Sequence, residues 1–370
     1  MKKRLLAFLL AGVMSLSLVA CGGTEEAPAE ETTEETTEET TEETSGEVPE
    51  QSVVKWNYGT SGNVLVTIAQ EKGYFEEYGI TIEPVEATAV SDAMSLLASG
   101  KVDIVSNSGT SNPLQQIASG VDITIFGGHM VTGCMPVVAK KGTEWNGVTS
   151  LVGKKFACNP SYFAFSGALM DEGVEDPLSA VEFVTYSNYN DALAAVVQGE
   201  VDYALLGTGL NENVKQMDDV EIVTYQSEVM PNYSCCRMEA KTEYVENNPI
   251  TIKCIIKALL RAQCYYENNK EEAVKLLADQ IGATEDYVAA YMLDEDHYVV
   301  NVDPLKNSVE RAWEILGKID FLDENAKNIN IDDHINTDLY KEALEEATEE
   351  FGDEDPEFYQ NQLTFFEENN

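Results

Sequence analysis

Basic residues are scarce in this chain: 23 lysines and arginines stand against 66 aspartates and glutamates, a formal net charge of −43 over 370 residues. So acidic a surface is repelled by nucleic-acid phosphates and by anionic lipid heads, and neither is expected as a partner. Histidine is rarer still, with three in all, and no CxxC or Cys/His spacing marks a metal site. GxSxG, HExxH, P-loop and full GxGxxG motifs are missing too, so the common signatures of hydrolysis, zinc chemistry and nucleotide binding are absent. No cofactor and no metal are expected. Nor is there an apolar run long enough to span a bilayer. Leu5 to Leu18, preceded by Lys2, Lys3 and Arg4, has the length and flanks of a secretory signal.

That signal ends in Leu18-Val19-Ala20-Cys21, which resembles the lipobox of bacterial lipoproteins. The resemblance implies that residues 1–20 are removed and that Cys21 carries the lipid, the chain's expected contact with the membrane. Residues 21–50 are a Thr/Glu-rich tract without apolar periodicity. It has nothing to bury and reads as a disordered tether, about 30 Å in root-mean-square span before charge repulsion stretches it.

From residue 51 onward the composition is that of a folded chain, organised around a stretch that occurs twice. Ser91-Asp92-Ala93 to Gly100-Lys101-Val102-Asp103 is echoed 99 residues later by Asn190-Asp191-Ala192 to Gly199-Glu200-Val201-Asp202. Each copy reads as a helix capped by Ser91 or Asn190, closed by a left-handed glycine and followed by a short strand. After each strand comes a small polar loop: Ser106, Asn107, Ser108 and Thr110 in one copy, Thr208 between two glycines in the other. Two α/β units ending in ligand-sized loops predict two lobes facing a cleft. The assignment is residues 51–143 and 230–370 to lobe 1, with extra C-terminal helices, and 144–229 to lobe 2.

Further candidates for the cleft come from loops that follow strands. Tyr58, Thr60, Ser61 and Asn63 lead into a helix whose free N–H groups favour an accepting ligand. Asn159, Ser161, Tyr162 and Phe165 occupy the matching loop of the second lobe, where rings can stack on a flat solute or fill the core. His129 follows a strand end and fits a ligand role and a structural one equally. Tyr233 falls on the return between lobes. None of the loops at Thr60, Ser106, Ser161 or Thr208 contains Lys or Arg, which disfavours a doubly charged anion and leaves a sulfonate-like monoanion or a heteroaromatic solute open. Besides Cys21 there are six cysteines; Cys254 and Cys264 are too far apart on one helix to pair, and Cys235 and Cys236 in a strand would face opposite sides. Buried free thiols are the expectation.

The order and spacing of Ile68-Ala69-Gln70-Glu71-Lys72-Gly73-Tyr74-Phe75, Tyr78-Gly79-Ile80, the two repeat copies, Leu151-Val152-Gly153-Lys154-Lys155-Phe156-Ala157 and Asn247-Asn248-Pro249 resemble the substrate-binding proteins of ABC importers. The group is the one that includes sulfonate, taurine, nitrate and thiamine-pyrimidine binders. The resemblance covers residues 53–316 and implies an α/β, two-lobed periplasmic-binding-protein-like fold of type II with a hinge and central cleft, extended here by C-terminal helices. It implies an extracytoplasmic, lipid-anchored monomer that hands a small molecule to a membrane permease. An enzyme similar to thiamine-pyrimidine synthases is the alternative, since Ser234-Cys235-Cys236-Arg237 stands where that group has a cysteine-rich motif; a ligand-sensing module for a membrane kinase is another.

Overall fold

The computed structural model describes residues 48–59, 61–87 and 90–370. The signal segment, Cys21, the Thr/Glu repeats and Thr60 lie outside the described residues. Strands and helices alternate through β1 (Val53–Asn57), β2 (Thr81–Pro84), β3 (Ile104–Ser106) and the long β4 (Ile123–Gly133). The chain then crosses at Cys134 and Met135 into β5 (Pro136–Lys140), β6 (Lys155–Ala157), β7 (Glu182–Val184), β8 (Tyr203–Leu205) and β9 (Val220–Tyr225). It returns to build β10 (Cys236–Lys241) and β11 (Tyr298–Val300).

Two sheets result, ordered β11-β4-β10-β3-β1-β2 and β7-β6-β8-β5-β9. Leaving out β11, they are the same sheet twice. A parallel trio, β2-β1-β3 or β7-β6-β8, is followed by one antiparallel strand and a fifth strand beyond it. The antiparallel strand, β10 or β5, is in each case the first strand made after a crossing, so each lobe is completed only once the chain has entered it from the other. Pro136–Lys140 therefore belongs to the second sheet, and the first crossing falls before Pro136 instead of at residue 143 as expected from sequence.

The repeat has a physical basis. In each copy the aspartate after the glycine-ended helix locks the neighbouring strand: Lys55 donates its N–H to Asp103 Oδ2 at 2.8 Å, and Lys155 donates its N–H to Asp202 Oδ2 at 2.9 Å. Gly100 and Gly199 take φ of 69° and 76°, the left-handed turn the motif requires. The second helix, Tyr189–Gln198, starts two residues earlier than the expected cap allows. Asn188 accepts from the Asp191 N–H, and Asn190 is inside the first turn.

The longest helix, Pro249–Asn268, opens with proline at its first position, and its Ile252, Ile255, Ile256, Leu259 and Leu260 are fully buried. Each such side chain contributes about 1.5–3 kcal/mol by leaving water. The helix Thr337–Phe351, followed by a last helix Pro356–Asn369, lies along it, joined by a ladder in four-residue steps: Lys253 to Glu346 at 2.7 Å, Lys257 to Glu350 at 2.6 Å and, from the turn between those two helices, Arg261 to Glu354 at 2.8 Å. Among the described residues no helix is long and apolar enough to cross a membrane.

Candidate functional site

In open α/β sheets, ligands meet the carboxyl ends of the parallel strands. In the first lobe those ends carry the expected polar loops, but the fold has engaged most of their side chains. Ser106 Oγ accepts from both Trp56 Nε1 and Asn63 Nδ2 at 3.1 Å, and Asn63 Oδ1 also caps the helix Val64–Glu71. Asn107, at φ 62°, donates from Nδ2 to Ser61 Oγ at 2.8 Å and to Gly62 O at 2.6 Å, holding the loop after β1. Ser108 Oγ donates to the buried Glu239 Oε1 at 2.7 Å, and Thr110 Oγ1 donates to Ser234 O. Tyr58 is half-buried in a separate cavity of about 450 Å³ beside Gln280.

Behind these loops lies a buried polar network. Arg237 is 1% exposed and donates to Met130 O at 2.6 Å and to Asp303 O. Its guanidinium lies against Gly128, where a Cβ would collide with it. Burial pushes the Glu239 carboxyl far above the usual carboxylate range, and burial likewise lifts Asp303 to about 6 against hydrogen bonds from Asn370 and the Leu305 N–H. His129 belongs to this interior. It is 1% exposed, neither ring nitrogen has a partner among the described residues, and burial together with Arg237 holds its pKa down to about 3. The ring is neutral at any physiological pH.

The second lobe is different. Asn159 and Tyr162 line a cavity of about 250 Å³ together with Cys158, Thr185, Tyr186, Ser187, Asn188 and Tyr189. The hydroxyls of Tyr162 and Tyr189 share a hydrogen bond of 2.6 Å across it, and the Tyr189 ring lies against Gly207. Burial raises both phenols, so they stay protonated donors. The cavity wall has no Lys, Arg, His, Asp or Glu. Two N–H groups of the loop after β6 are turned inward: Ser161 N donates to Asn159 Oδ1 at 3.0 Å and Tyr162 N to Asn159 O at 2.9 Å. Phe165 is fully buried and meets Phe156 edge-on at 4.8 Å.

Between the lobes, Tyr233 stacks on Phe163 at 4.4 Å, Thr208 Oγ1 donates to Gly133 O, and Tyr287 OH donates to Thr208 O at 3.1 Å. Tyr225 and His297 stack at 3.6 Å on the same crossing. The sequence reading missed Tyr186, Ser187, Asn188 and Tyr189. Their signal was present as an aromatic and polar run directly before the second repeat helix. All six cysteines of the described residues are buried and free, as expected, and no group of three or more His, Cys, Asp or Glu among the described residues could hold a metal ion.

Twin α/β lobes joined by two chain crossings, with a polar aromatic cavity at the strand ends, define the hinged class of binding-protein folds. The structure matches the periplasmic aliphatic sulphonate binding protein SsuA from Escherichia coli with a TM-score of 0.62 at 19% identity, covering 74% of this chain and 89% of that one. It matches the periplasmic nitrate-binding protein NrtA from Synechocystis PCC 6803 with a TM-score of 0.62 at 15% identity, over 81% and 90%. At these identities the likeness is one of fold. The NMT1/THI5 like family matches residues 63–273, more than half of the sequence, and the chain belongs to that family. A curated relative, 4-amino-5-hydroxymethyl-2-methylpyrimidine phosphate synthase of Schizosaccharomyces pombe, is 23% identical over 221 residues, 54% of this chain; the match spans 60% of that protein's length.

Proposed function

We propose that this protein is an extracytoplasmic, lipid-anchored binding protein that captures a small, uncharged, flat heteroaromatic solute and delivers it to an ABC importer. One observation carries the choice of solute. The second-lobe cavity is walled by tyrosine, asparagine and small hydroxyl side chains with no ionised group, and the Ser161 and Tyr162 N–H groups are bonded to Asn159. Such a wall offers π-faces and neutral donors and acceptors to a ring with nitrogen or carbonyl edges. A sulfonate or nitrate would enter it with no cation to replace its hydration, at a cost of several kcal/mol.

Asn159, Ser161, Tyr162, Tyr189 and Thr208 are the proposed contacts from the second lobe, and Tyr58, Ser61 and Tyr233 are proposed to join them from the first lobe and the crossing when the lobes close. Closure of the lobes then needs only that the solute bind the closed arrangement better than the open one. A melting screen tests the reading, because a ligand that binds the native state stabilises it by mass action. Neutral heteroaromatics should raise the melting temperature by several degrees and alkanesulfonates and nitrate should not; the reverse ranking would overturn the assignment. For the anchor, Cys21→Ser should move the protein from the membrane fraction to the soluble one, and unchanged membrane retention would rule the anchor out.

A further inference from the structure

Cys235 and Cys236 were expected to face opposite sides of a strand. They do not, because Cys235 precedes β10, Ser234 before it is held at φ 59°, and the ladder with β4 is irregular between Cys236 and Arg237. The two sulfurs lie side by side at 3.7 Å. Both are buried, Cys235 the less so at 9% against 4%. Cys235 Sγ packs beside Gly133 and Thr208 at the crossing, and Cys236 Sγ lies 3.3 Å from Asn107 Oδ1. Asn107 in turn holds Tyr58 O, Ser61 Oγ and Gly62 O through Nδ2. The single Cys236 proton thus faces two acceptors, the Cys235 sulfur and the amide that pins the loop after β1.

We propose that Cys235 and Cys236 form a redox-modified dithiol, oxidised to a vicinal disulfide by small-molecule disulfides, and that this oxidation frees the loop Tyr58–Gly62. The Cys235 thiolate attacks the oxidant, forming a mixed disulfide and releasing one thiolate. Cys236 then gives up its proton and attacks Cys235 Sγ, releasing the second thiol, so that two protein thiols lose two electrons and one disulfide becomes two thiols. Cys235 is the attacking sulfur, since it is the more accessible and the hydrogen bond from Cys236 holds its thiol below the ordinary range, aided by Arg237 and opposed by burial. The sulfurs must close from 3.7 Å to about 2.05 Å. That movement takes Cys236 Sγ and its proton from Asn107 Oδ1, and the amide loses the partner that orients it. Regulation of solute binding by this step rests on the proposed function; the oxidation and the loop response do not.

The experiment treats the purified protein with oxidised glutathione and reads peptide masses and hydrogen exchange without any solute. A loss of two hydrogens in the peptide holding both cysteines, with exchange at Gly59, Ser61 and Gly62 about tenfold faster, is expected, tenfold corresponding to about 1.4 kcal/mol. Cys236→Ser keeps a hydroxyl donor for Asn107 and should show slow exchange in both conditions; Cys235→Ser should do the same. Two free thiols at these positions after oxidation, a stable glutathione adduct, or a disulfide with unchanged loop exchange would each overturn the proposal. If solutes fail to shift the melting temperature while the disulfide and loop response appear, the binding reading fails and the redox site stands.

Discussion

The first lobe bonds its polar loop residues to distant parts of its own fold, whereas those of the second bond to near neighbours around a cavity: Tyr162 to Tyr189, and Ser187 and Asn188 to Asp191. Ser106, Asn107, Ser108 and Thr110 are bonded to Trp56, the β1 loop, Glu239 and the Ser234 carbonyl. Across the crossing, Tyr162, Tyr186, Ser187 and Tyr189 surround a cavity. Both lobes have the same strand order and the same aspartate lock, so the difference does not come from topology. It comes from the buried Arg237, Glu239, Asp303 and His129 beneath the first-lobe loops, which the second lobe lacks at its strand ends. A buried polar group must be paired or hydrogen-bonded, and Ser108 supplies such a bond to Glu239 from the loop above. The first-lobe loops are pinned by these bonds, and the proposed function assigns selection of the solute to the second lobe.

The largest effect should come from removing the charge at the centre of that buried network. Arg237→Met leaves the Met130 and Asp303 carbonyls without their donor and ionised Asp303 without a nearby cation, and is expected to cost about 3–5 kcal/mol in urea unfolding. A loss below about 1 kcal/mol would mean that the network is not what stiffens this lobe. The pH dependence follows in size. Unfolded Asp303 ionises near 3.8, whereas the folded protein keeps the proton to about 6. As pH rises through that window the unfolded state is favoured, by on the order of 3 kcal/mol at most, and above it the effect is constant. Asp303→Asn should remove this fall, so that stability measured from pH 4 to 7 drops more in the wild type than in the variant; parallel curves would contradict the lifted carboxyl.

Ser108→Ala sharpens the contrast between lobes. Its hydroxyl serves Glu239, so the change should lower stability by about 1–3 kcal/mol while leaving the melting shift given by a solute intact. If the solute shift vanished instead, the first lobe would be reading the ligand too. The smallest effect belongs to the surface ladder on the helix Pro249–Asn268. Glu350→Gln should cost about 0.5 kcal/mol or less, shrinking further as salt is raised, and a salt-independent loss above about 1 kcal/mol would show that Lys257, whose side chain is 8% exposed, depends on that carboxylate as a buried partner.

Local grammar made much of the fold legible. The twofold Gly-x-Val-Asp pattern, Pro249 and the five-residue apolar stripe after it are all short-range signals, and each sits where its chemistry predicts. The misplacements arose where a distant residue decides the outcome. Ser108 looks like a ligand hydroxyl until Glu239, 131 residues away, comes up beneath it. Cys235 and Cys236 look like alternating strand residues until the positive φ of Ser234 and the ladder irregularity bring their sulfurs together. Asn190 lost the cap to Asn188 by two residues, a difference that turn geometry sets and composition does not. The acidic C-terminal helices, unassigned from sequence, found their place through lysines and arginine of another helix spaced at four residues.

The most direct test of selection by the second lobe compares melting shifts for the wild type, Tyr162→Phe and Tyr189→Phe with the same neutral heteroaromatic solute. Each variant keeps its ring and loses one hydroxyl of the 2.6 Å pair; unliganded melting should change by less than about 1 kcal/mol equivalent and affinity should fall about tenfold or more. Unchanged affinity in both variants, with a solute shift abolished instead by changes confined to the first lobe, would contradict it.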